Sequence, residues 1–285
     1  MKTSQHVFSL PVEGGACFCI YRRPEKGPLA GTVLHLPAFG DEMNKSRAMT
    51  ARAARALAAR GFGVLHLDLL GCGDSSGDHA DASVGAWIDN AQRALDWLAR
   101  EGRAAAAPWL WCLRAGALLV PPLLRGPARD APLLLWQPVL SGAQQLNNLV
   151  RQKLAGALGA GQHTDAKSLR QRWIDGETQE IGGYAISPRL ARELDEAAFD
   201  IPAGYRGRVE WFEVSPTAAP AISPAARNRI AGFRSIGIDI NAVALHGPGF
   251  WQSAEIEQCE ALIETTSASL TIERRHGSLR DPVEL

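Results

Sequence analysis

The chain has 285 residues, enough for one large α/β domain with an insertion or for two smaller domains. Hydrophobic residues make up 46% of it and charged residues 21%, which is typical of a globular protein. Lys and Arg together number 30, as do Asp and Glu, so the formal net charge is zero. Because phosphate binding needs a surplus of basic residues on some face, this balance argues against a nucleic-acid partner.

The N-terminal segment has one lysine and no apolar run behind it, so it does not have the pattern of a signal peptide. No apolar stretch reaches the length of a membrane span. We therefore expect a cytoplasmic protein whose five cysteines are reduced thiols. Nothing in the pattern indicates an oligomeric state.

Apolar runs alternate with helical patterns along the first half of the chain. Two short runs around the turn at 12–15 predict an antiparallel hairpin. The later runs are apolar on both faces, which predicts a mostly parallel sheet flanked by helices. The strand-like runs lie at 6–11, 16–23, 32–37, 63–70, 108–114 and 131–138, and the helical runs at about 46–60, 83–102 and 115–125.

The segment 142–200 interrupts this alternation, since it is polar, helix-forming and punctuated by glycine. We interpret it as a helical cap inserted into the core, which would divide the core into 1–141 and 201–285. Strands at 208–214 and 240–245 and a helix at about 253–267 complete the predicted core. The tail from Ala268 is expected to be frayed.

The turn after strand 108–114 has the pattern of a nucleophile elbow. In α/β-hydrolases this turn reads G-x-S-x-G, because large side chains would clash on either side of the nucleophile. Here Cys112 and Gly116 occupy the small positions and Arg114 lies between them. A guanidinium stays protonated in proteins, so serine acyl-enzyme chemistry is not expected at this position.

The other two positions of a Ser-His-acid triad also lack the expected residues. Phe250 occupies the place in the loop after strand 240–245 where the histidine is expected, although His246 begins the same loop. The loop 215–220, where the acid is expected, contains no carboxylate. All three positions therefore depart from the rule for serine hydrolases.

Four segments carry a resemblance to a known family: PAFGDEMNKSR (37–47), DLLGCGDSSGD (68–78), LWCLRAGALL (110–119) and LWQPVLSG (135–142). They resemble the exosortase A system-associated hydrolases of type 2, which belong to the α/β-hydrolase superfamily. The resemblance implies an α/β-hydrolase fold and a bacterial cytoplasmic protein linked to exopolysaccharide synthesis and envelope protein sorting. The chain departs from the family's usual form at Ala38, Gly40 and Asp41, where Pro, Ala and Glu are more common.

Arg114 needs an anionic partner, because a buried unpaired guanidinium is costly. Glu42 and Asp74 are the candidate carboxylates. If the partner is instead a ligand, backbone N–H groups at Phe39-Gly40 and Ala115 would converge with the guanidinium on a carboxylate or phosphate.

Lys45 and Trp251 are further candidates for substrate binding. The structural alternative for Arg114 is an ion pair without a ligand. For the segment 41–47 it is that Asn44 or Ser46 caps the following helix, Asp41 and Glu42 favour its positive end, and Lys45 and Arg47 are solvated.

Cys72 lies in a glycine-rich turn, which the pattern favours as a structural loop. The sharper hypothesis places its thiolate beside Arg114, where its pKa would be lowered, with His246 as its base. His35 and His66 lie inside apolar strands and are expected to be core residues, whereas Trp173 could line a substrate cleft.

No His, Cys or carboxylate pair has metal-ligand spacing and no glycine-rich phosphate motif occurs, so we expect neither metal nor cofactor. Two functions remain open. One is a hydrolase acting on a small ester, acyl or glycan-linked substrate through Arg114, Glu42, Cys72 or Asp74, and His246. The other is a catalytically inactive homologue that binds an anionic metabolite or a partner protein in the same pocket.

Overall fold

The computed structural model describes residues 2–101, 106–159, 165–253 and 255–270. Their strands are β1 (Thr3–Val12), β2 (Gly15–Pro24), β3 (Gly31–Leu36), β4 (Phe62–Leu67), β5 (Trp109–Leu113), β6 (Leu133–Trp136), β7 (Gln179–Ile181), β8 (Tyr184–Ile186), β9 (Val209–Ser215) and β10 (Ile240–His246). Their helices are α1 (Asp41–Ala59), α2 (Val84–Glu101), α3 (Val120–Arg125), α4 (Gly142–Gly159), α5 (Ala166–Ile174), α6 (Pro188–Glu196), α7 (Pro224–Ser235) and α8 (Glu260–Ser269).

Eight strands form one sheet in the order β1-β2-β4-β3-β5-β6-β9-β10. All neighbours from β4 to β10 are parallel, whereas β1 and β2 form an antiparallel hairpin that joins the sheet beside β4. The predicted hairpin and the mostly parallel sheet are therefore confirmed. Because the strands from β4 onward run in the same direction, the loops that follow them gather at one edge of the sheet.

Helices cover both faces of the sheet. Alternate residues such as Val33, Val64 and Trp111 pack with α1 and α8. The residues between them, such as Leu34 and Leu65, pack with α2, α3 and α7 on the other side. Since side chains alternate along a strand, a run that is apolar at every position can fill both cores.

Several elements differ from the prediction. The helix expected at 115–125 begins as a 3₁₀ helix at Arg114–Leu119, and α3 follows it. Pro121 and Pro122 lie in the first turn of α3, where the backbone N–H that proline lacks would have no partner within the helix. The helix expected at 253–267 begins only at Glu260. Helix α7 was not predicted. The predicted tail falls largely on 271–285, outside the described residues.

The capping alternative for the helix after β3 is wrong. Helix α1 begins at Asp41, five residues before the predicted start, so Asn44 and Ser46 lie inside it. Gly40 is the N-cap, with φ 58° and no side-chain cap. The Ser46 hydroxyl instead donates to the carbonyl of Glu42 at 2.6 Å. Asp41 and Glu42 do lie in the first turn, where the helix dipole favours negative charge.

The stretch between β6 and β9 contains α4, α5 and α6, together with the two-stranded antiparallel sheet β7-β8. The hairpin was missed because its strands have three residues each, joined by Gly182 and Gly183, which both have positive φ. The division of the chain into a core and a cap stays a prediction. No helix in the described part of the chain combines the length and apolar character that a membrane span requires.

Gly116 allows the turn after β5 to pack against the end of β3. A Cβ added there would lie 2.3 Å from the Leu36 carbonyl oxygen and 2.6 Å from that of Pro37, both rigid backbone atoms.

We expect Gly116→Ala to lower the free energy of unfolding by about 1–3 kcal/mol, as overpacking does. Gly156→Ala in α4 is the control, because a Cβ there meets nothing within 4 Å; it should be neutral or stabilise by up to about 1 kcal/mol. Chemical denaturation measures both, and equal effects would contradict the close approach.

Candidate active-site region

Arg114 occupies the sharp turn that follows β5. Its φ is 52°, and in the described part of the chain the other non-glycine residue with positive φ is Gln137, at 45°, just after β6. A left-handed conformation costs a non-glycine residue roughly 1–2 kcal/mol. The adjacent strands β5 and β6 are therefore each followed by a strained residue. Strained backbone conformations of this kind cluster at functional sites.

The Arg114 guanidinium is held on several sides. Its Nε and Nη2 atoms donate to Oε1 of Glu42 at 3.1 and 2.9 Å, and Nη1 donates to the Gln137 carbonyl at 3.3 Å. The Trp251 ring lies 5.3 Å from the guanidinium carbon, within cation–π distance. Of the two carboxylates considered, Glu42 is therefore the partner. Asp74 is exposed, and its backbone N–H donates to Asp68.

The ion pair is mostly buried, since the side chains of Arg114 and Glu42 are 15% and 21% exposed. Oε2 of Glu42 is buried and has no hydrogen-bond partner among the described residues. The pair has no net charge, and its unsatisfied atom is an acceptor. The region around Arg114 therefore resembles a neutralised ion pair more than an open anion site.

Several other predicted residues lie close to this pair. Lys45 forms an ion pair with Asp41 at 2.8 Å and donates to the Gln252 carbonyl at 3.4 Å, so it joins α1 to the loop after β10. Ala115 is fully buried directly behind Arg114. Phe39 packs on Trp87, with 4.4 Å between the ring centroids. The chain thus brings 39–45, 114–116 and 251 to one edge of the sheet.

The loop after β10 presents an aromatic side chain to Arg114. Phe250 is 1% exposed and packs edge-to-face on Trp136 and Trp251. It is a core residue that supports Trp251. His246 is exposed at the end of β10, and its carbonyl accepts a weak hydrogen bond from Cys259.

The Cys72 hypothesis is wrong in its chemistry. The thiol is 4% exposed, and burial, helped by the negative charge of Asp68, raises its pKa to about 12. His246 cannot act as its base, because four strands separate β4 from β10 in the sheet. At roughly 4.8 Å per strand, their ends are about 24 Å apart. Gly73 and Asp68 instead pack tightly in the turn, consistent with a structural loop.

A small cavity lies between the β7-β8 segment and the core. Its volume is about 30 Å³, close to that of one water molecule. Its lining is largely apolar, and Phe39 and Gly40 are the candidate binding residues from the sequence that belong to it. The rest of the lining includes Trp87, Gln145, Leu149, Ile181 and Tyr184. Trp173 does not line it: its Nε1 donates to the Ile186 carbonyl and its ring borders a separate groove beside Ile174.

The overall fold matches solved structures over nearly the whole chain. The ferulic acid complex of Est1E from Butyrivibrio proteoclasticus has a TM-score of 0.61 and 16% identity, covering 93% of this chain and 98% of that one. A haloalkane dehalogenase variant from Bradyrhizobium elkanii has a TM-score of 0.58 and 16% identity, covering 95% and 97%. The chain has the α/β-hydrolase fold.

Mouse alpha/beta hydrolase domain-containing protein 10 adds a third match, with a TM-score of 0.54, 14% identity, and coverage of 93% and 97%. At such identities the likeness concerns the fold. No family model matches the sequence, and no curated protein does. Within the described residues of this α/β-hydrolase fold, no group of three or more His, Cys, Asp or Glu side chains could hold a metal ion.

The Arg114–Glu42 pair should be strongly coupled. We expect Arg114→Met and Glu42→Gln each to lower the free energy of unfolding by about 1–3 kcal/mol, because each leaves a mostly buried polar partner unpaired. The double variant should lose less than the sum, which gives a coupling of about 1–2 kcal/mol. A double-mutant cycle by denaturant unfolding measures it.

The exposed Arg170–Asp195 pair is the matched control, with side chains 35% and 44% exposed. Its coupling should stay below about 0.5 kcal/mol. Equal coupling energies for the two pairs would contradict a special role for the buried one.

All five thiols should resist alkylation in the folded protein. Each of the five cysteines is buried and is a free thiol, as predicted. Burial raises the pKa of every one of these thiols. A thiol with a pKa of about 12 is roughly one part in 10⁴ thiolate at pH 8, against about a quarter for an ordinary cysteine.

Iodoacetamide at pH 8, followed by peptide mass spectrometry, should therefore label the cysteines only after denaturation. Rapid labelling of Cys72 alone in the folded protein would restore the thiol mechanism.

Proposed function

We propose that this α/β-hydrolase-fold protein does not carry out serine-hydrolase chemistry and acts instead by binding a ligand at the C-terminal edge of its sheet. One observation carries the proposal. The side chain at the turn after β5, where hydrolases of this fold have their nucleophile, is a guanidinium hydrogen-bonded to Glu42 and to the Gln137 carbonyl.

This arrangement leaves no group at the turn that could attack a substrate. Arginine is not deprotonated in proteins, so it supplies neither a nucleophile nor a base. Oε1 of Glu42 accepts two charge-assisted hydrogen bonds, which compete with any role in proton transfer. A substrate that displaced Arg114 would leave the mostly buried Glu42 carboxylate unpaired, which is costly. Such a substrate would therefore gain little binding free energy by separating the pair.

The candidates for a substitute site do not support an alternative mechanism. Burial raises the pKa of the Cys72 thiol, four strands lie between the preceding strand β4 and the strand of His246, and Asp74 is exposed. A site assembled from Arg114, Glu42, Cys72 or Asp74, and His246 would need these turns to rearrange across the sheet.

The character of the ligand follows from the cavity beside Phe39. Its lining is mostly aromatic and aliphatic, and its polar residues are Asp41, His79, Gln145, Gln152 and Tyr184. Such a surface favours an acyl chain or another apolar group with one polar end over a free phosphate. Because the cavity is about 30 Å³, the β7-β8 segment has to move to admit a ligand. The neutral Arg114–Glu42 pair also gives less support to an anionic metabolite than Arg114 alone would.

The biological setting follows from the four segments that resemble exosortase A system-associated hydrolases. On that support we propose a bacterial cytoplasmic protein that acts beside exopolysaccharide synthesis and envelope protein sorting.

A second candidate is a hydrolase that uses this region without a serine. The positive φ of Arg114 and the close approach of Gly116 to β3 favour it, because they preserve the turn whose backbone N–H stabilises an oxyanion in this fold. In that case Arg114 would help to polarise the carbonyl of a small ester, acyl or glycan-linked substrate, and Ala115 would supply an N–H.

An esterase assay separates the two candidates. With p-nitrophenyl esters of two to eight carbons and a fluorophosphonate probe, we expect no turnover above buffer and no labelled serine. Turnover that is lost in both Arg114→Ala and Glu42→Gln but retained in the surface variant Arg170→Ala would overturn the binding proposal in favour of the second candidate.

Binding is tested directly with medium-chain fatty acids and their amides in a thermal-shift assay. Saturation at a hundred times Kd should stabilise the protein by about 2.7 kcal/mol. Leu149→Glu, within the cavity lining, should abolish the shift, whereas Ile174→Glu, at a residue that is 76% exposed, should not. A shift that survives Leu149→Glu would place the ligand elsewhere.

A further inference from the structure

A second cavity lies beneath α1, on the face of the sheet formed there by β2, β4 and β3. Its volume is about 140 Å³. The polar side chains in its lining are Arg22, His35, Ser46, Arg47, Thr50, His66 and Asp68. Neither Arg114 nor Glu42 is part of this lining, although α1 also carries Glu42. The cavity is therefore distinct from the region proposed above to bind a ligand.

The fold places the two histidines side by side. His35 of β3 pairs in register with His66 of β4, and the rings lie 4.6 Å apart between centroids. Two residues earlier on each strand the same face carries Val33 and Val64, so the histidines interrupt an otherwise apolar face. Helix α1 covers them with Met43, Ser46, Arg47 and Thr50, a spacing that puts these residues on one side of a helix.

The cavity wall contains polar atoms without partners. Nε of Arg22 and Nε2 of both His35 and His66 are buried and have no hydrogen-bond partner among the described residues. The residue His35 is itself only 5% exposed. The Arg22 Nε group can only donate, so its missing partner must be an acceptor. Buried polar groups in proteins are rarely left unpaired, which indicates that something absent from the chain itself completes this site.

The charged side chains around the cavity also favour an anionic partner. Burial and the nearby positive charge of Arg55 lower the pKa of Arg22. Burial and the charges of Arg22 and Arg47 lower the pKa of His66 to about 3, so this ring is neutral at physiological pH. Asp68 is the carboxylate in the lining, and its Oδ2 already accepts from Arg47 at 2.9 Å. The environment therefore favours an added negative charge.

We propose that this cavity binds a small oxyanion, such as phosphate, sulfate or a short carboxylate, through Arg22 and Arg47 with hydrogen bonds from His35 and His66. The volume corresponds to roughly four or five water molecules, which admits one such anion and excludes a nucleotide. The two neutral rings can each present an N–H to the anion, since the tautomer adjusts to the partner.

The test is calorimetric titration with sodium phosphate, sulfate and acetate at pH 7, with chloride keeping the ionic strength constant. At least one oxyanion should bind in excess over chloride. Arg22→Gln should weaken this binding at least tenfold. Ala51→Leu, which fills the cavity from α1, should abolish it. Ala59→Leu, at an exposed position on the same helix, is the matched control and should bind as the original protein does.

Two further measurements keep the test decisive. Arg114→Ala should retain the anion, so failure of the proposed binding function and failure of this one are distinguishable. If Arg22→Gln does not fold, ¹⁵N-histidine NMR of the original protein should show phosphate-dependent shifts of two ring signals that Ala51→Leu lacks. An equal response to chloride and every oxyanion, binding that persists in Ala51→Leu, or unchanged histidine signals would overturn the proposal.

Discussion

The pairing of Arg114 with Glu42 connects several of the segments at the C-terminal edge of the sheet. It joins the turn after β5 to the first turn of α1, and the same guanidinium reaches the end of β6 through the Gln137 carbonyl. Trp251 adds the loop after β10 to this set. One cationic group therefore contacts the segments that follow β3, β5, β6 and β10, in the part of this fold where loops otherwise vary most freely.

This constraint links the chemistry of the turn to its geometry. A hydrolase nucleophile has to be accessible to the substrate and activated by a neighbouring base, whereas Arg114 is 15% exposed and paired with a carboxylate. The positive φ that presents a nucleophile in this fold is retained, at 52°, but it presents a side chain that turns toward Glu42. A turn conformation that is typical of this fold thus presents a side chain engaged in an ion pair.

The sequence predicted the sheet well because its evidence is local: apolar runs at every position mark buried parallel strands, and both Arg114 and Glu42 are recognisable from the segments that contain them. It failed where the outcome depends on tertiary register. Nothing local shows that β4 and β10 lie far apart, so Cys72 and His246 were joined incorrectly. Helix α7 could have been found, since Ser223 caps it, Pro224 opens it, and Ala226, Ile230 and Phe233 repeat on one face.

The same dependence on register explains why the histidines were interpreted singly. His35 and His66 are each an isolated polar residue in an apolar strand, and a satisfied core histidine is the ordinary interpretation of either. Only the parallel pairing of β3 and β4 makes them neighbours, and only the position of α1 places Arg47 and Ser46 above them. Helix α1 carries Glu42 at its start and lines the buried cavity from Met43 to Ala51, so an anion in that cavity would contact the same helix that positions Arg114. The two polar regions of this molecule thus share one rigid element, although they share no residue.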